Sequence, residues 1–340
     1  MLVLGIESTC DETSASVVEN GKNILSNVVS SQIDLQKQFG GVVPELACRR
    51  HLEVILPVIE NALEEAGVAL EEIDLISVAY GPGLVGPLMI GLNAAKALAW
   101  AQKIPFIGVN HIEAHLYASV MGFDEELSFP CIGAVLSGGH TTLLKVEGLG
   151  EYKLLGQTVD DAVGEAFDKV ARILGLPYPG GPEIERLALQ GDPRAFDLSA
   201  GRVKGRPVDF SFSGLKTAVL YAAKGPRAKA DSPLVIAEEQ KADLAAAFQE
   251  TALQDIVKKT VQVCKEEGIE TVLFGGGVTC NMRLRALFRE RAPHLKIFWP
   301  SMGLSLDNAA MIAGLGFVKF QSRGCGDPLS LEPKTRIALS

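Results

Sequence analysis

Two histidines one helical turn apart, in His111-Ile-Glu-Ala-His115, carry the spacing that most directly suggests chemistry. Residues at i and i+4 share a helix face, so both imidazoles can reach one divalent cation. Two nitrogens leave its sphere incomplete; a carboxylate from elsewhere and an open position for substrate would make a catalytic centre. The same pair would serve equally as capping or packed histidines near a helix start, and His51, His140 and His294 are scattered. Metalloproteases also pair histidines at this spacing, with the glutamate directly after the first. Here the acid is Glu113, about 200° round the helix from His111. It faces away from the paired imidazoles, which disfavours a protease.

Three acids offer further possibilities. Asp307, in Leu304-Ser-Leu-Asp-Asn-Ala-Ala-Met-Ile-Ala313, stands at a helix start, where it is either an ordinary N-cap or the missing metal carboxylate. Asp168 lies in the amphipathic Gly164-Glu-Ala-Phe-Asp-Lys-Val-Ala-Arg172, and Glu185 follows the glycine turn Tyr178-Pro-Gly-Gly181. Both are solvated face residues unless they point into one cleft, where carboxylates hydrogen-bond ribose hydroxyls.

The elements that must position these groups alternate strand and helix. Leu2–Ile6, the polar turn Glu7–Thr13 and Ala15–Glu19 read as strand, tight turn, strand; Cys131–Leu136, Ser137–His140 and Thr141–Glu147 repeat the pattern. Two such hairpins suggest an internal duplication into two lobes. Short buried strands at Asp74–Ala79 and Ile107–Asn110, between helical stretches, indicate α/β layering. A third glycine cluster, in Thr271-Val-Leu-Phe-Gly-Gly-Gly-Val278, follows a strand and precedes a helix expected from Cys280 onward. Backbone amides there can face a phosphate or a purine ring without obstruction. No Walker A sequence is present. Gly81-Pro-Gly-Leu-Val-Gly86 has the G-x-G-x-x-G spacing, but its prolines remove amide donors, so it reads as a turn before a helix over Pro87–Gln102.

Composition narrows the class. The 340 residues are 47% hydrophobic and 21% charged, which excludes a disordered chain and suggests two lobes. The six cysteines, without a C-x-x-C pair, indicate neither a zinc ribbon nor a disulfide framework. Glu7 and Asp11 interrupt the N-terminal apolar run, so no signal peptide is expected, and Pro87–Ala101 is too short to span a bilayer. A cytoplasmic protein with no membrane partner is the expectation. The net charge of −9 disfavours nucleic-acid coating, yet basic residues cluster at Arg202, Lys204 and Arg206, at Lys224, Arg227 and Lys229, and at Arg283, Arg285, Arg289 and Arg291. Those clusters leave room for local phosphate contacts.

The two-hairpin signature resembles the actin, Hsp70 and sugar-kinase class. More specifically, Gly5-Ile-Glu-Ser-Thr-Cys-Asp-Glu-Thr13, His111-Ile-Glu-Ala-His115, Ser137-Gly-Gly-His140, Gly164-Glu-Ala-Phe-Asp-Lys169 and Phe274-Gly-Gly-Gly-Val278 with Asn281 occur in the order found in the TsaD family, the bacterial tRNA N6-adenosine threonylcarbamoyltransferases. The resemblance runs from Leu2 to about Lys319. It implies an α/β, two-lobed actin-like fold (ASKHA, a duplicated RNase H-like fold) with a nucleotide cleft between lobes. One lobe would take residues 1–130, completed by a C-terminal helix over 307–340, and the other 131–306. The implied reaction moves threonylcarbamoyl from threonylcarbamoyl-AMP to N6 of adenosine 37 in tRNAs reading ANN codons.

By the same resemblance, His111, His115 and Asp307 would hold one divalent ion, Fe2+ or Zn2+, and act in catalysis. Val135, Leu136, Ser137, Gly138, Gly139, Asp168, Gly181, Glu185 and Asn281 would bind the adenylate, an ATP- or AMP-type nucleotide. Two departures stand out: Ser305-Leu306 replaces the family's usual Cys/Thr pair, and Glu185 stands where many members have aspartate. Implied partners are tRNA, a paralogous actin-like TsaB subunit and a TsaE-type P-loop ATPase. The helical stretch Ile55–Gly67 is either a docking face or ordinary core. The rival readings are an ATP-dependent small-molecule kinase of the same superfamily, which uses aspartate where this chain has Glu7, and a non-catalytic nucleotide-dependent scaffold.

Overall fold

The computed structural model describes residues 1–121, 123, 127–229 and 232–337. Among them the strands form two five-stranded sheets. In the first, β1 (Leu2–Glu7), β2 (Glu12–Glu19), β3 (Asn23–Ser31), β4 (Leu75–Gly81) and β5 (Phe106–Asn110) lie in the order β3-β2-β1-β4-β5. In the second, β6 (Cys131–Leu136), β7 (Thr141–Gly148), β8 (Glu151–Gln157), β9 (Thr271–Gly275) and β10 (Lys296–Phe298) lie in the order β8-β7-β6-β9-β10. Each sheet begins with an antiparallel meander, and its first strand then takes a parallel neighbour on the other edge. The two hairpins expected from the sequence are the first two strands of each sheet, and the duplication is topological as well as local.

The chain divides into two compact units, Met1–Leu127 with the chain from Trp299 onward, and Ser128–Phe298. The segment Trp299–Leu306, assigned from the sequence to the second lobe, belongs to the first. Helices α1 (Ile33–Gln36), α2 (Pro44–Ala66), α3 (Val85–Gln102) and α4 (His111–Ala118) belong to the first unit. The second holds α5 (Val163–Leu174), α6 (Gly180–Ala188), α7 (Ser213–Lys224), α8 (Glu238–Glu267) and α9 (Met282–Arg291). The C-terminal helix, α10, runs only from Ala309 to Arg323, and residues 338–340 of the longer expected helix lie outside the described residues. Among the described residues no helix is long and apolar enough to cross a membrane.

The period-2 alternation of β1 sorts its side chains between two cores. Leu4 and Ile6 pack with Ile55, Ile59 and Leu92 from α2 and α3. Val3 packs on the opposite face with Ala114 and Tyr117 of α4 and Met311 and Leu315 of α10. Within the stretch considered as a docking face, Ile55, Val58, Ile59 and Ala62 form its buried stripe, while Leu56, Pro57, Glu60, Asn61, Glu64 and Glu65 are exposed on the other side. In the second unit the ring pairs Phe167–Phe248 and Phe274–Phe288 meet edge to face at 4.9 Å, joining α5 to α8 and β9 to α9.

Gly5 occupies the α10 side of β1. A Cβ there would strike the carbonyl of Ala309 and lie 2.9 Å from the Cβ of Ala313. Gly316, farther along α10, meets the Ser77 side chain in the same way. These two glycines let α10 lie close against the sheet. Overpacking a rigid core costs about 1–3 kcal/mol. Gly5→Ala is therefore expected to lower the unfolding free energy by about that amount in urea titrations; an unchanged midpoint would refute the close packing.

Candidate functional site

Helix α4 starts where β5 ends. Asn110 caps it, its side chain accepting from Ile112 N at 2.9 Å, and this fixes His111 at the first helical position. His115 follows one turn later, and both histidines are buried. Their rings meet edge to face with centroids 4.5 Å apart. Asp307 reaches them from the loop preceding α10: its Oδ1 lies 3.1 Å from His115 Nε2 and 3.5 Å from His111 Nε2. One ligand atom from each of the three residues falls within 4.8 Å of the others. Asp307 is not the helix cap. That role belongs to Asn308, which accepts from Met311 N and donates to the carbonyls of Leu304 and Leu306. The carboxylate one residue earlier is thereby left for the histidines.

Glu7, at the end of β1, completes the arrangement. Fully buried, it accepts from His111 Nδ1–H at 3.0 Å through Oε2 and from Thr9 N at 2.6 Å through Oε1. A histidine that donates Nδ1–H to a carboxylate keeps its Nε2 lone pair for a cation, which is how metal-ligating histidines are oriented. Burial opposes charge on His111, but Glu7 and then Asp307 outweigh it and raise its pKa well above the ordinary value. Burial likewise opposes charge on Asp307, and the attraction of His111 and His115 overcomes it, holding the carboxyl well below the usual range. Burial and the neighbouring His111 lower His115. The Nδ1 of His115 is buried without a hydrogen-bond partner among the described residues. Two imidazoles and a carboxylate converging with lone-pair capacity unspent fit a divalent ion of the iron or zinc type.

Sequence reasoning passed over several groups here. Glu7 entered it as part of the first turn and motif and as a replacement for a kinase aspartate, not as a partner of His111, although its place on the same β1 face as Val3 and Gly5 is a readable signal. Glu113 does face away from the pair, and its partner was unforeseen: Lys319 of α10 donates to Oε2 at 2.6 Å, with both side chains nearly buried. This ion pair ties together the helix of the two histidines and the helix that follows Asp307. Asp11, in the turn after β1, and Glu12, the first residue of β2, add acid to the same neighbourhood. Burial, then Asp11 and Asp307, push Glu12 well above the ordinary carboxylate range. Burial and Asp11 also raise the Cys10 thiol, so no thiolate nucleophile is on offer.

The residues expected to bind adenylate all lie in the second unit. Val135 and Leu136 end β6, buried; Ser137, Gly138 and Gly139 form the turn to β7, with Ser137 Oγ accepting from His140 N at 3.0 Å. Gly164 at the start of α5 packs on that turn, and a Cβ there would meet Ser137 O at 2.8 Å. Asp168 accepts from Gly180 N at 2.7 Å, beside Gly181. Glu185 accepts from Met282 N at 2.7 Å, next to Asn281. Asn281 caps α9 through Leu284 N and donates to Gln249 Oε1 at 2.8 Å. The turn, α5, α6 and the start of α9 are thus brought together by successive links.

Not every glycine serves the chain's own packing. A Cβ on Gly138, Gly139 or Gly181 would touch nothing within 4 Å, and none of the three has a left-handed backbone. A cavity of about 380 Å³ opens beside these elements, lined by Glu185, Leu189, Gln249, Met282 and Arg289 among others. The basic cluster at 283–291 is partly spent. Arg283 is held by Glu250 at 2.7 Å and Glu290 at 2.8 Å, and Arg285 donates to the Thr279 carbonyl. Arg206 pairs with Asp209, whereas Arg202, Lys204, Arg227 and Lys229 stand exposed.

Comparison with known proteins identifies the family. The family model of TsaD, tRNA N6-adenosine threonylcarbamoyltransferase, matches residues 23–314. A protein of that name from Protochlamydia amoebophila is 61% identical over 100% of this chain and 98% of its own. Another from Chlamydia trachomatis serovar L2b is 51% identical over 95% and 94%. Among solved structures, HypF from T. kodakarensis superposes with a TM-score of 0.61 at 15% identity, over 95% of this chain and 48% of that one. Component A of the Acidaminococcus fermentans (R)-2-hydroxyglutaryl-CoA dehydratase gives 0.53 at 14% identity, over 94% and 98%. At such identities the structural likeness establishes the fold, a two-lobed actin-like α/β architecture. From motif order, site geometry and identity along its whole length, the chain belongs to the TsaD family of tRNA N6-adenosine threonylcarbamoyltransferases.

Proposed function

We propose that this enzyme transfers the threonylcarbamoyl group from threonylcarbamoyl-AMP to N6 of adenosine 37 in tRNAs reading ANN codons, and that His111, His115 and Asp307 hold the divalent ion it uses. The observation that carries the metal assignment is the convergence of these three groups with Glu7 behind His111. Chemically the need is plain: an exocyclic adenine amine is a weak nucleophile, its lone pair delocalised into the ring. A bound Lewis acid would polarise the carbamoyl oxygen. Glu7 keeps His111 in the tautomer that presents Nε2, and the Glu113–Lys319 pair holds α4 against α10.

Adenylate binding is assigned to Val135, Leu136, Ser137, Gly138, Gly139, Asp168, Gly181, Glu185 and Asn281. The open space over Gly138, Gly139 and Gly181, and the cavity beside Glu185, support it. Turn amides at 137–139 would receive the phosphate as AMP departs. A purine fits the apolar wall of Leu189 and Met282, with Gln249 as the polar group. The exposed basic residues Arg202, Lys204, Arg227 and Lys229 support phosphate contacts to tRNA. An anticodon-loop adenosine needs no duplex opening to be reached. A paralogous actin-like subunit and a P-loop ATPase are the expected partners, and the cytoplasm the expected location. A sugar-kinase reading fits less well, because both oxygens of Glu7 are already engaged by His111 and Thr9.

The direct test is incubation with unmodified tRNA, threonylcarbamoyl-AMP and Fe2+ or Zn2+, followed by mass analysis of nucleosides. Threonylcarbamoyladenosine is expected; ADP and a phosphorylated small molecule from ATP would instead favour the kinase. The double variant His111→Ala/His115→Ala should stay folded and lose transfer together with stoichiometric metal. Full activity in the metal-free variant would overturn the assignment. Glu7→Gln should weaken metal affinity about ten- to hundredfold, as loss of an orienting carboxylate does, measured by chelator competition. Gly139→Val should leave the melting temperature unchanged yet weaken AMP binding by about tenfold or more in calorimetry, which corresponds to roughly 1.4 kcal/mol. Unaltered affinity would remove Gly139 from the adenylate site.

A further inference from the structure

The turn between β1 and β2, with the strand ends beside it, concentrates acidic groups. Glu7, Asp11 and Glu12 lie along six residues of chain, and Asp307 approaches from the loop preceding α10. Acids crowded where water is excluded resist ionising together. Something must hold the turn in place. Its first half is anchored to the start of α3: Ser8 Oγ donates to the Pro87 carbonyl at 2.9 Å, and Leu84 N donates to the Thr9 carbonyl at 2.8 Å. The second half carries Asp11 and Glu12 and is held by β3 and its end, where Gln32 N donates to the Asp11 carbonyl at 3.2 Å and Ser31 Oγ to Glu12 Oε1 at 3.1 Å, and by a histidine outside the metal cluster.

His51 lies on α2, fully buried, on the stripe that Ala47, Ile55 and Ala62 turn into the core. Its two ring nitrogens face opposite ends of the acidic segment. Nε2 is 3.0 Å from the Cys10 carbonyl oxygen, and Nδ1 is 2.7 Å from Thr13 Oγ1. A carbonyl can only accept, so Nε2 carries the proton and Nδ1 accepts from the threonine hydroxyl. Burial lowers the imidazole's pKa, consistent with the neutral ring that this pairing requires. A neutral ring brackets the acidic segment without itself being a counter-ion. It leaves Asp11 and Glu12 free of direct pairing to it.

We propose that His51 is a positioning residue: in its Nε2–H tautomer it clamps the Cys10–Thr13 segment where the turn enters β2 and so, together with the contacts from Ser31 and Gln32, holds Asp11 and Glu12 beside the His111–His115–Asp307 cluster. The functional half of this proposal rests on the transferase reading above; the clamp itself does not. Displacement of α2 would reach the acidic segment through this ring and through Gln32, whose side chain donates to the Ala47 carbonyl and whose backbone N donates to the Asp11 carbonyl.

Two measurements on the full chain test it. The first is long-range nitrogen NMR of histidine-labelled protein, with His51→Gln assigning the resonance. A protonated Nε2 and an unprotonated Nδ1 are expected for His51, with the Nδ1 signal displaced in Thr13→Val. The opposite tautomer, or a cationic ring at neutral pH, overturns the clamp. The second is transfer with threonylcarbamoyl-AMP and tRNA. His51→Ala should lower kcat about ten- to hundredfold, the scale of loss that a small misplacement from a site away from the chemistry can produce, while KM for tRNA stays unchanged. His51→Gln, whose side-chain amide can still donate to the Cys10 carbonyl, should recover most of the loss. A folded His51→Ala with wild-type kcat, or a Gln variant as impaired as Ala at equal melting temperature, overturns the positioning role. Should His51→Ala fail to fold, the Gln and Thr13→Val variants carry the comparison. Absence of transfer in the unsubstituted enzyme would refute the transferase reading and leave the NMR result to decide the clamp.

Discussion

The approach of α10 to β1 at Gly5 is the constraint on which the site depends. With no side chain at that position, the Ala309 carbonyl and the Ala313 methyl group can lie directly on the strand. The loop that precedes α10 then delivers Asp307 to the histidines of α4. Ser14 on the neighbouring strand fixes the same helix start, accepting from Ala309 N at 2.9 Å while donating to the Val28 carbonyl at 2.8 Å. Because protein interiors are close-packed, an added methyl group at Gly5 would have to be absorbed by moving the helix. The metal carboxylate would move with it.

Electrostatics follows from that packing. Two histidines, Glu7 and Asp307 share a space with little water, where unlike charges hold each other and burial penalises any left unpaired. His111 mediates, one nitrogen toward Glu7 and the other toward Asp307. Burial and the acidic neighbours Asp11 and Asp307 push the Glu12 carboxyl up, whereas the two imidazoles hold Asp307 down against its burial. The second unit is built on a different economy of side chains. Gly164, Gly180 and Gly276 are demanded by the chain's own packing, whereas Gly138, Gly139 and Gly181 leave space above the backbone. The first group shapes the turn, and the second keeps it open.

Capping ties the two halves of the story to local sequence. Asparagine side chains cap α4, α9 and α10, the helices whose starts hold His111, the adenylate candidate Asn281 and the residue after Asp307. An asparagine that accepts from a first-turn amide fixes both the helix start and the direction of the residue beside it. At α10 this separates two roles that one acidic residue could not fill together: Asn308 caps, and Asp307 faces the histidines.

Much of this was legible in the chain itself. The two hairpins, the i, i+4 histidines and the glycine turns are local patterns, and local patterns are set by backbone periodicity and turn chemistry. Glu113 was placed on the far side of its helix by the 100° rotation per residue alone. Other features depend on contacts between residues far apart in sequence, and no local period encodes them. The pairing of Glu7 with His111 crosses 104 positions, and that of Lys319 with Glu113 crosses 206. His51 stood in the sequence only as one of three scattered histidines until folding set the Cys10 carbonyl and the Thr13 hydroxyl at its two nitrogens. The sequence by itself determined which groups are available and which faces carry them. Only tertiary structure decided which of them meet, because proximity between distant segments is fixed by how closely helices can pack on sheets, here at two glycines.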